Sequence, residues 1–171
     1  MPSLFLLTPE EPKGTLLMRN DIGLVFLGYR ATELANLLGT GFALIHKNRD
    51  EDANAPVTLV GTVEGKDAIM IDDMADTSGT LTQGAALLKE HGARRIYAAV
   101  THGIFSDEAL TKINDSDISN VIVGNTVPQT QHVRECPKIR VFDMAPILAE
   151  AIRRMHNGES VSYLFSPTAF Q

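Results

Sequence analysis

The stretch that most constrains this chain runs Asp72-Asp73-Met74-Ala75-Asp76-Thr77-Ser78-Gly79-Thr80. It follows the apolar run Ala68-Ile69-Met70-Ile71 and opens into residues 81–91, whose spacing predicts a helix. An apolar strand ending in acids, then a loop of small residues, then a helix is a phosphate-binding layout. Backbone N–H groups at Ser78, Gly79 and Thr80 can point at one anion, because Gly79 has no Cβ to block the approach. Thr77, Ser78 and Thr80 add hydroxyl donors, and the helix dipole favours negative charge there. The loop holds no Lys or Arg, so it is not a Walker-type loop. Neutral donors would hold a terminal phosphate, with Asp72, Asp73 and Asp76 nearby for hydroxyls or Mg2+. The same pattern also fits a plain capped helix start, with Thr77 or Ser78 as N-cap. On pattern alone both readings stand.

Around the motif, hydrophobic runs predict strands at 22–27, 42–45, 57–63 and 67–71, the last two separated by a hairpin-like turn at Glu64-Gly65-Lys66. Helical spacing covers 32–38 and stops at Gly39. Residues 47–56 are charged and aperiodic, which predicts an exposed, mobile loop. Beyond the 81–91 helix, strands at 95–101, 120–123 and 139–142 alternate with helices at 107–113 and 145–156. Alternation of this length predicts an α/β fold, a mostly parallel sheet with helices on both faces. In such sheets a ligand sits beyond the carboxyl ends of the strands, where residues 72–80 fall.

A length of 171 residues with a net charge of −6 suits one soluble domain with a real core. The absence of a strong basic field argues against nucleic acid as a partner. The single cysteine, Cys136, rules out an internal disulfide and points to a reducing, cytoplasmic setting. Beside Pro137 it reads as a small, partly buried residue. No apolar run approaches a membrane span. Residues 1–7 are apolar, but Pro2 and Pro9 and the lack of a basic flank argue against a signal peptide.

Residues 72–80 resemble the ribose 5-phosphate signature of the type I phosphoribosyl family, two acids followed by a D-T-x-G-T loop. From about Arg30 to Phe165 the chain resembles the C-terminal half of ribose-phosphate pyrophosphokinase, the PRPP synthetase. The supporting stretches are Phe42-Ala43-Leu44-Ile45-His46-Lys47, residues 72–80, Thr101-His102-Gly103-Ile104-Phe105-Ser106 and the tail AEAIRRMHNGESVSYLF over 149–165. Transferases that merely consume PRPP share the phosphate loop but not that tail. The resemblance implies a type I phosphoribosyltransferase-like fold. It also implies ATP and ribose 5-phosphate as substrates, Mg2+ with the ATP, and PRPP and AMP as products. On it, Asp76, Thr77, Ser78, Gly79 and Thr80 would hold the 5-phosphate, and Asp72 and Asp73 the ribose 2- and 3-hydroxyls, where Mg2+ is also met. Lys47 and Arg49 would be the catalytic cations of a flexible loop, as a diphosphoryl transfer dominated by positioning and charge neutralisation requires. Without the resemblance they read as a solvated loop. Ser160, Ser162 and Phe165 would join an allosteric site between subunits; from the residues alone the tail reads as an apolar strand with exposed hydroxyls. His102, at a strand end, is either a substrate contact or a satisfied structural histidine.

The resemblance stops short of the family's full pattern. Where the family carries an S-P-D-x-G-G pyrophosphate loop, this chain has Asn20-Asp21-Ile22-Gly23-Leu24-Val25-Phe26-Leu27-Gly28-Tyr29. The family's N-terminal half, with its ATP-binding loops and Mg2+-binding histidine, has no counterpart in these residues. The chain thus divides into an atypical leader over 1–29 and a phosphoribosyltransferase-like domain over 30–171. Three functions compete. The first is ribose-phosphate diphosphokinase, incompetent as this isolated chain and completed within a homo- or hetero-oligomer of full-length subunits. The second is a phosphoribosyltransferase using PRPP. The third is a non-catalytic, synthetase-associated subunit that binds ribose 5-phosphate.

Overall fold

The computed structural model describes residues 22–26, 40–47 and 57–165. They fall into two compact units, one ending at Phe142 and the other beginning at Asp143. The first is a sheet whose seven strands are β1 (Ile22–Phe26), β2 (Gly41–Lys47), β3 (Val57–Val60), β4 (Asp67–Ala75), β5 (Arg95–Gly103), β6 (Asn120–Gly124) and β7 (Ile139–Phe142). Their order is β3-β2-β1-β4-β5-β6-β7. Every neighbouring pair is parallel except β2 with β3. Among the described residues, the helices of this unit are α1 (Gly79–Glu90), α2 (Ala109–Asp115) and α3 (Thr130–Glu135).

β4 runs through the middle. Its first four residues, Asp67 to Met70, are buried, as expected where a parallel strand is covered on both faces. The core gathers Val25, Ala43, Met70, Leu81, Leu88, Ile96, Val121 and Ile139 from strands on both sides of β4 and from α1. β1 pairs with β2 on one side and with β4 on the other, so residues 22–26 hold an interior place although they lie within the expected leader. The chain winds outward in both directions from β1 and β4, which makes their carboxyl ends the topological switch point of the sheet.

Four expectations are corrected here. Glu64-Gly65-Lys66 does not close a hairpin: β3 pairs antiparallel with β2, and β4 with β1 and β5. The turn is instead tied to the end of α1, with Gly65 N donating to Gly92 O at 2.9 Å and Arg94 N to Lys66 O at 2.8 Å. β3 stops at Val60, before Gly61 at φ 115°. β4 continues to Ala75, so Asp72 and Asp73 belong to the strand and not to the loop. Lys47 ends β2, its backbone paired with Val57. The predicted helix at 32–38 and the remainder of the 47–56 loop lie outside the described residues.

The second unit contains α4 (Ala145–His156) and a 3-10 turn over Val161–Phe165. The tail is therefore helical where a strand was expected. Arg153 binds Glu150 at 2.8 Å and Glu159 at 2.7 Å, and Arg154 binds Glu150 at 2.8 Å. The Arg154 guanidinium lies 4.2 Å from the centre of the Tyr163 ring. Hydrogen bonds from Arg153 first, and then Arg154, hold the Glu150 carboxyl at about 2. Arg153 and Glu159 are exposed and Glu150 is partly so, with only Arg154 largely covered, so the network chiefly fixes the path of the tail.

Asp67 is 1% exposed at the start of β4, and Arg94 and Arg95 each reach it at 2.7 Å. Burial pushes its carboxyl up, but the hydrogen bonds and charges of the two arginines outweigh this and hold it below the usual 3.8. A depressed carboxyl contributes stability above its unfolded pKa and loses it as pH falls through the folded value. Asp67→Asn is therefore expected to destabilise the sheet by about 1–3 kcal/mol at neutral pH. In urea titrations that difference should shrink as pH drops below 3.8. At the other end of the sheet, a Cβ on Gly103 would strike the Phe105 ring and come within 2.6 Å of Val123 Cγ2. Gly103→Ala should cost about 1–3 kcal/mol by overpacking, read as a lowered Tm.

Candidate functional site

The carboxyl end of β4 and the first turn of α1 enclose an open pocket of about 150 Å³, lined by Asp72, Met74, Ala75, Asp76, Thr77, Ser78, Gly79, Thr80 and Leu81. This is smaller than the several hundred Å³ of a whole drug-sized site and fits one compact polar group. The structure thus brings together six of the seven residues expected to bind a sugar phosphate. Asp73 is the exception. It alternates to the other face of β4, is exposed, and its N–H donates to Asp72 Oδ1 at 2.9 Å.

Ser78 is the centre of the pocket's chemistry. It occupies the N-cap position of α1, yet its side chain makes no capping bond, contrary to the expectation that Thr77 or Ser78 caps the helix. Its backbone is left-handed, φ 59° and ψ 10°, a conformation costing an L-residue about 1–2 kcal/mol. The residue is 5% exposed, and its Oγ is buried without a hydrogen-bond partner. A buried, unmet hydroxyl costs about 1–3 kcal/mol more. Strain and an empty valence at one residue are marks of a place completed by a ligand. The neighbouring backbone supplies the rest. Thr82 N is the first amide of α1 to bond within the helix, to Ser78 O at 3.0 Å, which leaves the amides just before it as donors. A Cβ on Gly79 would meet nothing within 4 Å, so approach there is open.

Thr82 and Ser106, two residues not singled out by the sequence, hold this turn. Thr82 Oγ1 lies 3.1 Å from Ser78 O and 3.2 Å from Gly79 O, and its hydroxyl donates back into the first turn. Ser106 Oγ donates to Asp76 Oδ1. Thr82 sits one helical turn beyond Ser78, a spacing that could have signalled it. Ser106 lies thirty residues from Asp76 and left no local signal.

His102 pairs with Met74 in the β4–β5 register, beside the pocket. Thr126 Oγ1 donates to Thr101 O at 3.1 Å and so accepts from His102 Nδ1 at 2.8 Å. The ring is thus fixed by the protein, as a structural histidine would be. Gln129, buried, donates to Gly103 O at 2.8 Å and receives His132 Nδ1–H at 2.8 Å. Cys136 is fully buried rather than partly so, its thiol 3.1 Å from Asn114 Oδ1. Of the expected catalytic pair, Lys47 contributes the last backbone pairing of β2 and Arg49 lies outside the described residues. Ser160, Ser162 and the end of the 3-10 turn at Phe165 belong to the second unit.

Among the described residues, no three His, Cys, Asp or Glu side chains converge in a way that could hold a metal ion. Asp72 and Asp76 in the pocket suit Mg2+ that arrives already bound to phosphates, which needs only one or two carboxylates. Among the same residues, no helix is long and apolar enough to cross a membrane.

Comparison with known proteins agrees with this geometry. The phosphoribosyl synthetase-associated domain family matches residues 43–166. The crystal structure of phosphoribosylpyrophosphate synthetase from Mycobacterium smegmatis matches at 36% identity and a TM-score of 0.71, over 81% of this chain and 46% of that one. The chain thus spans less than half the length of that synthetase. An adenine phosphoribosyltransferase matches at 16% identity and a TM-score of 0.48, over 63% of this chain and 68% of that one. The purine phosphoribosyltransferase from Pyrococcus horikoshii Ot3 matches at 21% and 0.42, over 52% and 66%. With most of the sheet inside the matched family and a solved synthetase more than one-third identical across it, the chain belongs to the phosphoribosylpyrophosphate synthetase family.

Proposed function

We propose that the chain is the ribose 5-phosphate-binding part of a ribose-phosphate diphosphokinase, the enzyme class that makes PRPP and AMP from ATP and ribose 5-phosphate. One observation carries the reading: Ser78, buried and left-handed, has an unmet Oγ in a pocket at a helix N-terminus. A phosphate monoester would accept from that hydroxyl, from the amides of the first turn and from Thr77 and Thr80, and would relieve the cost the empty loop carries. Asp72, on the pocket face of β4, would accept from a ribose hydroxyl, and Asp73, turned to the other face, would act through the Asp72 carboxylate to which its N–H donates. Mg·ATP enters as substrate. Its Mg2+ would offset phosphate charge at Asp72 and Asp76, and Lys47 and Arg49 would neutralise the charge that develops on the transferred group.

The match to the phosphoribosyl synthetase-associated domain family supports a second reading, a synthetase-associated subunit that binds ribose 5-phosphate without turning it over. In both readings the chain would act within a homo- or hetero-oligomer of synthetase subunits, residues 20–29 standing where the family has its pyrophosphate loop. An allosteric role for Ser160, Ser162 and Phe165 would belong to such an assembly.

Thr80→Ala removes one hydroxyl donor to a charged acceptor, worth about 1.5–3 kcal/mol. Calorimetry with ribose 5-phosphate should show affinity about ten- to a hundred-fold weaker than wild type; equal affinities would take the loop out of the site. Purified chain given Mg·ATP and ribose 5-phosphate should release no AMP above background. Positioning one substrate alone forgoes a proximity term of about 7–11 kcal/mol. Turnover on the order of 10 s⁻¹ would show that these residues hold ATP as well.

A further inference from the structure

We propose that Ser106 is a positioning residue for phosphate binding, acting through Asp76. The inference rests on the reading that the pocket takes ribose 5-phosphate. Asp76 is the one charged side chain within the phosphate loop itself, and it is exposed at the pocket rim. A carboxylate free to swing there would repel a phosphate or bond the loop's own amides in its place. Ser106 prevents both by donating its hydroxyl to Asp76 Oδ1.

The segment that delivers Ser106 is built for this task. Ile104 N and Phe105 N both donate to Ala75 O, at 2.9 and 3.1 Å, so two amides grip the carbonyl immediately before Asp76. Phe105 and Asp107, on either side of Ser106, are left-handed at φ 51° and 54°, an arrangement that costs each of them energy. The Phe105 ring is buried and meets His132 edge-on, with ring centres 5.3 Å apart. Gly103 is the residue that lets the ring sit there, since any Cβ would strike it. The core thus holds Phe105 in an unfavourable backbone conformation, the exposed Asp107 adopts another, and Ser106, between them, is presented to the phosphate loop. A connection that merely joined β5 to α2 would need none of this.

Calorimetry with ribose 5-phosphate on the full chain tests the assignment, with Tm measured for every variant. Ser106→Ala should weaken binding about tenfold, as for a lost hydrogen bond to a charged group. Ser106→Thr, which keeps the hydroxyl, should bind within about threefold of wild type. In an Asp76→Ala background, adding Ser106→Ala should change affinity no further, because the two side chains act as one unit. Wild-type affinity in Ser106→Ala overturns the inference and leaves the proposed function standing. Equal losses in the Ala and Thr variants, or additive losses with Asp76→Ala, also overturn it, since they would mark an effect of the fold alone. A wild-type chain that takes up no ribose 5-phosphate overturns the proposed function, and this inference with it.

Discussion

The parallel pairing of β4 with β5 is the constraint on which the rest depends. It runs unbroken in register from Asp67 opposite Arg95 to Asp72 opposite Val100, and resumes at Met74 opposite His102 and Ala75 opposite Gly103. That register decides both ends of the sheet at once. At the start it places Arg95 against Asp67, where a buried carboxylate finds two guanidinium partners. At the finish it sets the loop after β5 beside the loop after β4, so that Ala75 O can receive the amides of Ile104 and Phe105. A slip of one residue would turn every side chain of β4 to the opposite face, forcing Met70 and Ile69 to exchange sides of the core and sending Asp72 out of the pocket.

The pocket works without a cation of its own. Its donors are amides and hydroxyls, and its charged members are acids. On the proposed function, such a site would hold a phosphate by geometry and leave charge neutralisation to groups brought by a second substrate or a closing loop.

Much of this was legible in the residues, and the exceptions have physical causes. β7 and α4 fall on their predicted boundaries because each is a clean run bounded by strong punctuation, Cys136-Pro137 before one and Asn157-Gly158 after the other. β4 was read four residues short. Acids are poor strand formers, yet Asp72 and Asp73 stay extended because β5 continues beside them. Glu64-Gly65-Lys66 carries a genuine turn signal, but a turn says nothing about which strands it leads to pair. α3 escaped notice because none of its residues is buried, so it shows no apolar period to read. In the site, the phosphate loop is contiguous and announces itself. Its brace comes from thirty residues away, and only folding brings Ser106 to Asp76.

Ser78 gives the loop one more property. A glycine at that position would adopt the same left-handed backbone at less cost and would leave no hydroxyl unmet. The serine is therefore a local conflict between what the isolated fold prefers and what an occupied pocket uses, a frustrated contact within an otherwise self-consistent sheet. On the proposed function, conflict of this kind would couple occupancy to rigidity, because a bound anion would accept from the Ser78 hydroxyl and settle the turn. The β4–α1 junction would then behave as a latch, its state set by what lies in the pocket.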